Sequence, residues 1–321
     1  MARKFHKDIT RDRQIYELAT DIHSPELGDY YFLMTEAQML AGHSQQYHFD
    51  EQGIPIIPTY IDVSEQRMLY YPISIGQYGL AIWNTYLKTK QEHDRNRFLK
   101  IADWFMANAI SDDKLGAYWL TDVDKPAYNI KRPWKSSFSQ ARAINVLMRA
   151  YQITQKNNYK TMAELAIEPF FIPVVDGGVT TFTENGPFFE EYPASVPVLV
   201  LNGHIFSICG VYDYIRTHPD DQRVRSLYND SVQSLSCLID RFDMGFWSKY
   251  SLCEANFHPS VDPSTIGYHC LHIVQLDLMY ALTNQAIFKG TADRWQKYLK
   301  TTNILKMYFI KYRALKKMNR I

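Results

Sequence analysis

The chain has 321 residues, of which 46% are hydrophobic and 21% are charged. These proportions are typical of a globular protein whose core is large enough for one or two domains. The formal net charge of +1 gives no global electrostatic reason to bind nucleic acid or a membrane, so neither is an expected partner.

Cysteine spacing and the N-terminal sequence exclude further classes. The four cysteines show no CxxC or zinc-site spacing, so free and mostly buried thiols are expected. The charged N-terminal residues lack a following apolar segment, and no run approaches the roughly 18 apolar residues that a membrane span needs. We therefore expect a cytoplasmic protein.

Residues 1–70 are the least regular part of the chain. The segments 29–34 and 53–60 are rich in aromatic and aliphatic residues, and they predict an N-terminal helix followed by an extended arm. We predict that residues 1–70 form this unit and that residues 71–321 form a separate domain.

Beyond residue 70, apolar residues recur at a period near 3.6, which predicts amphipathic helices in pairs. Between the pairs lie three short runs of β-branched and aromatic residues led by glycine, at 116–121, 178–183 and 245–250, which predict strands. The predicted helices span residues 72–90, 95–110, 136–155, 159–170, 197–216, 219–241, 265–284 and 290–315.

This pattern predicts a mainly α fold. About four helical hairpins would close into an (α/α) barrel, or toroid, with short strands between the pairs. Such an arrangement gathers the loops between hairpins at one end, where they line a cleft. Functional residues are therefore expected in those loops.

The most informative loop spans residues 186–193. It holds Glu190, Glu191 and Tyr192 between two prolines, just before an apolar helix. Proline restricts the backbone, which favours positioned side chains over a freely solvated pair of carboxylates.

Three strings together resemble the C-terminal catalytic domain of the D-glucuronyl C5-epimerase family. They are the loop at 186–193, Tyr250 with the following Ser-Leu, and the segment 268–276, which reads Tyr-His-Cys-Leu-His-Ile-Val-Gln-Leu. The resemblance covers about residues 50 to 300, and the 18-residue gap from Tyr250 to Tyr268 is the family's own.

The resemblance implies an enzyme that converts glucuronic into iduronic acid in a heparosan-like anionic polysaccharide, without a cofactor. It also implies a barrel of paired helices and a homodimer. Animal members insert a β-domain after the segment that corresponds to 70–80. Only about 20 residues separate that segment from Asp103 and Trp104 here, so the insert is absent and a metal site located in it is not expected.

Carried over residue by residue, the resemblance makes Glu191 the catalytic carboxylate, Tyr250 and Tyr268 the two catalytic tyrosines, and Tyr192 a further active-site tyrosine. Inversion at C5 requires proton transfer on both faces of the sugar. We predict Tyr250 and Tyr268 as the opposed proton carriers. Glu191 is then a second base or a group that tunes one of them.

Further residues are predicted to contact the substrate. Gln77 and Tyr78 match the family's Gln-Tyr-Gly. The spacing of His269 and His272 could serve a metal, but no third ligand is evident, so hydrogen bonding around Tyr268 is favoured. Arg149 also matches, although a structural ion pair inside the helix ring is an equal alternative.

The chain departs from the animal members at two positions. Cys253 and Ile266 stand where those proteins carry arginine, which removes two cations suited to carboxylate or sulfate groups. We predict that at least one other cation lies in the cleft, and five are candidates: Lys131, Arg132, Lys135, Arg149 and Lys249.

Two alternatives stay open. A polysaccharide lyase removes the same C5 proton and then eliminates the C4 oxygen. A non-catalytic uronan-binding protein would keep the aromatic residues. A glycoside hydrolase is disfavoured because only the adjacent pair Glu190 and Glu191 could supply its two carboxylates.

Overall fold

A computed structural model of the protein describes residues 16–43, 47–60 and 62–318, with side chains omitted at 41–43. The start of the predicted N-terminal unit, residues 1–15, lies outside the described residues. The described chain is mainly helical and has the predicted barrel of paired helices.

The helices follow the predicted periodicity closely. The helix pairs within residues 72–108, 137–166, 201–238 and 266–296 form the four expected hairpins. The α-helices of the described residues are α1 (Glu36–His43), α2 (Pro72–Thr89), α3 (Glu92–Asn108), α4 (Ser137–Thr154), α5 (Asn157–Ala166), α6 (Leu201–Thr217), α7 (Gln222–Leu238), α8 (Ile266–Thr283), α9 (Ala286–Gln296) and α10 (Thr301–Lys317).

Two helix predictions were wrong in detail. The segment 290–315 is not one helix, because the chain turns between α9 and α10, where the Asp243 carboxylate accepts hydrogen bonds from the Trp295 indole and the Tyr298 hydroxyl. The helix predicted from residue 197 begins at Leu201, because Leu199 has a left-handed φ of 53°.

Short antiparallel pairs of strands occupy the connections. Two of the three predicted strand segments, at 116–121 and 178–183, contain strands, whereas 245–250 has only isolated bridges. The strands are β1 (Glu17–Leu18) with β2 (Phe32–Leu33), β3 (His48–Phe49), β4 (Pro55–Pro58) and β5 (Met68–Leu69) in one three-stranded sheet, β6 (Ile110–Asp112) with β7 (Gly116–Tyr118), and β8 (Thr180–Thr183) with β9 (Gly186–Phe189).

The N-terminal arm forms part of the core. Tyr30, Tyr31 and Phe32 are almost fully buried, and the Tyr31 hydroxyl donates to Asp213 of α6 at 2.7 Å. Arg142 of α4 donates to the Tyr30 hydroxyl. Burial of these large rings stabilises the arm in its place by the hydrophobic effect.

Helices α4 and α6 pack in close contact. A Cβ atom added to Gly210 of α6 would lie only 2.5 Å from the Cα atom of Ala141 in α4. The hydroxyls of Ser207 and Ser137 also meet across this contact at 2.8 Å. Backbone approach of this kind requires glycine.

We therefore expect Gly210→Ala to destabilise the protein by about 1 to 3 kcal/mol, because the added methyl group meets backbone that cannot yield. Gly290→Ala is the matched control, since Gly290 is an exposed helical residue with open space around it. That variant should gain up to about 1 kcal/mol from helix propensity. Urea unfolding of both variants tests the contact, and equal stability would contradict it.

Candidate active site

Strand β9 leads directly into Glu190, whose carboxylate is almost fully buried. Its oxygens accept hydrogen bonds from the backbone N–H groups of Val198 and Leu199, at 3.1 and 3.0 Å, and from the Thr181 hydroxyl at 2.8 Å. Burial raises the pKa of Glu190 to about 7, although these donors oppose the rise. The Glu190 side chain therefore links the two ends of the loop 190–199 and binds Leu199, whose backbone is left-handed.

Glu191 has a different environment. Its carboxylate is buried against Gly203, where an added Cβ would lie 2.5 Å from Oε2, and it receives a long 3.5 Å hydrogen bond from the Asn202 amide. Burial raises the pKa of Glu191 to about 7, opposed by the Tyr192 hydroxyl, the Lys125 charge and Asn202. A carboxyl with this pKa exists in both protonation states at neutral pH.

Tyr250 and Tyr268 lie together, as the family resemblance implies. Their rings are in edge-to-face contact, with centroids 5.0 Å apart. Tyr268 opens helix α8 and is 39% exposed, whereas Tyr250 is half-buried. Burial, followed by the nearby charge of Glu191, holds the pKa of Tyr250 well above its ordinary value, so its hydroxyl keeps its proton at neutral pH.

Tyr192 joins this group. It is buried, and the phenol groups of Tyr192 and Tyr250 are within hydrogen-bonding reach. Its ring stacks on Tyr128 at a centroid distance of 5.1 Å. The structure therefore brings together all four predicted catalytic residues, Glu191, Tyr192, Tyr250 and Tyr268.

Four members of this cluster were not predicted from the sequence: Tyr60, Tyr71, Lys125 and Tyr128. The hydroxyl of Tyr60 donates to that of Tyr71 at 3.0 Å, and burial raises the pKa of both, with a further contribution from Glu191. Tyr60 ends the segment 53–60, which was noted for its aromatic and aliphatic residues, and Tyr71 lies in the segment 70–80, which was used only to locate the β-domain insertion of the animal members. Lys125 and Tyr128 lie in the β7–α4 loop, which has no recognisable motif.

Lys125 is the cation beside Glu191. Its side chain is buried, with Nζ 3.7 Å from the ring centroid of Tyr60 and 4.7 Å from that of Tyr192. A cation held between aromatic faces is stabilised by their quadrupoles when water is excluded. Its charge lowers the pKa of the Glu191 carboxyl, although burial outweighs this effect.

The five predicted cations have other contacts within the described part of the chain. Lys131 pairs with Asp124 at 2.8 Å and Arg132 with Glu65 at 2.8 Å. Lys249 lies near Glu254, and burial lowers its pKa. Lys135 lies over the Tyr118 ring at 4.4 Å. A role for these four side chains in the cleft therefore stays a prediction.

Arg149 is fully buried in the helix ring and pairs with Asp213. Arg149 therefore fits the alternative of a structural ion pair, and the prediction that it contacts substrate is corrected. One carboxylate faces two arginines there, because Arg216 also donates to Asp213.

The predicted pair Gln77 and Tyr78 contacts the N-terminal arm. The Gln77 amide donates to the Met34 sulfur, and the Tyr78 hydroxyl donates to Glu36 of α1 at 3.1 Å. Arg97 completes that polar group by bonding Glu36. These bonds link α2 to the arm, and a role at the tyrosine cluster stays a prediction.

His269 and His272 are both fully buried behind Tyr268. His269 stacks on Trp247 at 3.9 Å, and its Nε2 lies 3.1 Å from the Trp295 carbonyl, so it ties α8 to α9. Burial lowers the pKa of His272 well below its ordinary value, which keeps it neutral. Direct contact with substrate, as predicted, would require access that neither side chain has.

The described residues hold neither a metal-binding cluster nor a membrane-spanning helix. No group of three or more His, Cys, Asp or Glu side chains in residues 16–43, 47–60 and 62–318 is arranged to hold a metal ion. No helix in those ranges is long and apolar enough to cross a membrane.

A groove of about 550 Å³ lies elsewhere, between the β8–β9 hairpin and α7, with Phe171, Phe182 and Arg223 in its wall. None of the cluster residues lines it. The candidate site is therefore identified by the cluster of Glu191, Lys125 and tyrosine side chains and not by this groove.

We expect Glu190→Ala to lower the free energy of unfolding by about 3 kcal/mol, because it leaves buried N–H donors without an acceptor. Glu184→Ala is the control, because Glu184 is exposed on the same hairpin and should change stability by less than about 0.5 kcal/mol. Chemical denaturation of both variants provides the measurement, and a small effect at Glu190 would contradict its role in fastening the loop.

Comparison with known proteins adds sequence relatives to this geometry. The family model described as D-glucuronyl C5-epimerase C-terminus matches residues 112–297. The D-glucuronyl C5-epimerase of Caenorhabditis elegans is 27% identical over 241 residues, which are 70% of this chain and 38% of that protein. An uncharacterized protein of Methanocaldococcus jannaschii is 25% identical over 228 residues, covering 66% of this chain and 71% of that protein.

Solved structures support the architecture alone. The cellobiose 2-epimerase from Bacillus thermoamylovorans aligns with a TM-score of 0.55 at 12% identity, covering 83% of this chain and 71% of that one. The family match contains Lys125, Glu191, Tyr192, Tyr250 and Tyr268 and spans more than half of the chain. The protein therefore belongs to the D-glucuronyl C5-epimerase C-terminal family.

Proposed function

We propose that this protein is a carbohydrate epimerase that interconverts D-glucuronic and L-iduronic acid residues in a heparosan-like anionic polysaccharide. The observation that carries the proposal is the buried carboxyl of Glu191, poised near neutrality beside Tyr192, Tyr250 and a buried lysine. Family membership supports it, and the name of the nematode relative supports glucuronate as the sugar.

The reaction determines what the site must supply. The C5 hydrogen is α to a carboxylate, so its removal places a further negative charge on an already anionic group. A preorganised cation and hydrogen-bond donors stabilise such an enolate most effectively where water is excluded. Lys125 is a buried cation, and the hydroxyls of Tyr60, Tyr71 and Tyr192 are donors in the same group.

Protonation states suggest how the two faces of C5 are served. Glu191 is available as a base at neutral pH, whereas Tyr250 retains its proton and acts as an acid. The Tyr250 and Tyr268 rings touch, which leaves no room for a sugar between them, so we propose that C5 lies across their hydroxyl ends. We assign Glu191 to one face and a hydroxyl of this tyrosine pair to the other.

Proton balance follows from this assignment. In one direction Glu191 takes the C5 proton and the tyrosine donates its own to the opposite face, which leaves a carboxylic acid and a phenolate. The reverse reaction starts from those states. Return of a proton from Glu191 to the tyrosine, directly or by exchange with water, resets the site.

A homodimer is also proposed, on the family resemblance alone. Sedimentation velocity of the purified chain at several concentrations measures the assembly directly. A single species with the mass of one chain at all concentrations would contradict it.

We expect Tyr250→Phe and Tyr268→Phe both to leave the fold intact, because each change removes one hydroxyl, and we expect the variant at the tyrosine that serves the second face of C5 to lose net epimerisation. Deuterium labelling at C5 in deuterated water then shows which of the two tyrosines serves the face opposite Glu191. The variant that lacks it should still exchange the C5 hydrogen of one epimer through Glu191 without producing the other. NMR of glucuronan and of its iduronate-containing counterpart measures both outcomes.

Tyr280→Phe is the control for these two variants, since Tyr280 is an exposed residue of the same helix α8. Net epimerisation at the wild-type rate in both cluster variants would exclude the tyrosine pair from proton transfer. Formation of an unsaturated uronate, detected by its absorbance, would identify a lyase instead. Binding without any C5 exchange would identify a non-catalytic uronan-binding protein.

Lys125→Met should lower kcat/KM by about 100- to 1,000-fold, because the enolate loses its nearest cation. It should also move the acidic limb of the pH–rate profile to higher pH. The lysine charge favours ionised Glu191, so its loss raises the pKa of Glu191 further. Lys131→Met is the control at an exposed lysine of the same loop, and an equal loss there would contradict a specific role for Lys125.

A further inference from the structure

Helix α10 (Thr301–Lys317) lies outside the region that matches the family, which ends at residue 297. Its buried side chains Ile304 and Met307 pack against Trp247 and Ile266. Trp247 precedes Tyr250 by three residues, and Ile266 precedes Tyr268 by two. The helix therefore packs directly beneath the two segments that carry the catalytic tyrosines.

The first polar link from this helix reaches Tyr250. Lys311 Nζ lies 2.6 Å from Asp262 Oδ1, and both side chains are largely buried, at 14% and 5% exposure. The backbone carbonyl of the same Asp262 accepts the N–H of Tyr250 at 2.9 Å. The ion pair and the catalytic tyrosine are thus joined through a single residue.

The second link reaches Tyr192. Lys317 Nζ donates to the backbone carbonyl of His258 at 2.8 Å. The His258 ring stacks on Tyr128 at a centroid distance of 5.2 Å, and Tyr128 in turn stacks on Tyr192. Helix α10 therefore contacts the cluster from a second direction.

The segment between these two contacts has little structure of its own. Residues 252–262 contain no helix or strand, so their position depends on side-chain contacts rather than on a ladder of backbone hydrogen bonds. A buried ion pair at one end and a lysine–carbonyl bond near the middle supply such contacts. Loss of one partner of a buried pair leaves the other charge without compensation, which displaces the segment.

We propose that Lys311 and Lys317 of helix α10 are positioning residues for the active site, acting through Asp262 and His258 on Tyr250, Tyr128 and Tyr192. Only the effect on reaction rate rests on the proposed epimerase function. The effect on the geometry of the tyrosines is independent of it. A helix outside the matched family region thereby becomes part of the catalytic unit.

The test uses the full chain with 3-fluorotyrosine placed at position 250, and its readout is the ¹⁹F resonance of that ring. Lys311→Met should shift this resonance, whereas Lys311→Arg should restore the wild-type position because arginine keeps the charge. Lys316→Met is the matched control, since Lys316 is exposed in the last turn of the same helix. A resonance in folded Lys311→Met identical to that of the wild type would overturn the proposal.

Activity gives the second readout. Lys311→Met should lower kcat for C5 exchange by about 10- to 100-fold, with KM within about twofold, because the sugar still binds but the acid is displaced. Lys316→Met should leave both constants unchanged. An equal loss in the two variants, or a loss confined to KM, would overturn the assignment.

A third variant covers failure of Lys311→Met to fold. Lys317→Met removes only one hydrogen bond at a helix end and should shift the ¹⁹F resonance of a label at position 128, while an unchanged resonance would overturn the link through His258. If the wild-type chain exchanges no C5 hydrogen in any glucuronan, the proposed function fails. The ¹⁹F comparison then still decides whether helix α10 positions the tyrosines.

Discussion

The burial of two adjacent carboxylates at the end of β9 is the constraint on which the site depends. Neighbouring side chains in an extended segment point in opposite directions, so Glu190 and Glu191 enter different environments. Glu190 is satisfied by two backbone N–H groups and a hydroxyl. Glu191 has only a long amide contact, a tyrosine hydroxyl and a lysine charge to offset its burial. Burial raises the pKa of both carboxyls to about 7, but their contacts differ: Glu190 holds the loop through its hydrogen bonds, whereas Glu191 lies against the tyrosine cluster.

Glu190 also explains the start of α6. Its carboxylate binds the N–H groups of Val198 and Leu199, and Leu199 is held in a left-handed conformation that a leucine rarely adopts. The helix consequently begins at Leu201, which places Asn202 and Gly203 against Glu191. Strain in the loop is offset by charge-assisted hydrogen bonds, and the Glu191 carboxyl is positioned as a result.

The abundance of tyrosine has a physical explanation in this arrangement. Five tyrosines of the cluster supply apolar ring surface that excludes water, and their hydroxyls can form hydrogen bonds near the charged groups. They are Tyr60, Tyr71, Tyr128, Tyr192 and Tyr250. Burial raises the pKa of each phenol, which keeps the group protonated and able to donate. Lys125 adds a positive charge to this group of phenols, and the faces of the Tyr60 and Tyr192 rings hold its ammonium group in place.

Local sequence was sufficient for the helical hairpins, because helix periodicity and glycine-led turns are properties of short segments. The resemblance to the family's continuous strings predicted Glu191, Tyr192, Tyr250 and Tyr268 as site residues, and the structure brings these four side chains together. Local sequence did not identify Lys125, Tyr60 or Tyr71, because their role comes from contacts between segments far apart in the chain. For the same reason the sequence did not reveal the surroundings of Arg149 and His269. The partner of Arg149, Asp213, is on another helix, and the partners of His269 are Trp247 and the Trp295 carbonyl of α9. Periodicity and motif are encoded along the chain, whereas the environment that sets charge and pKa is created only when distant segments meet.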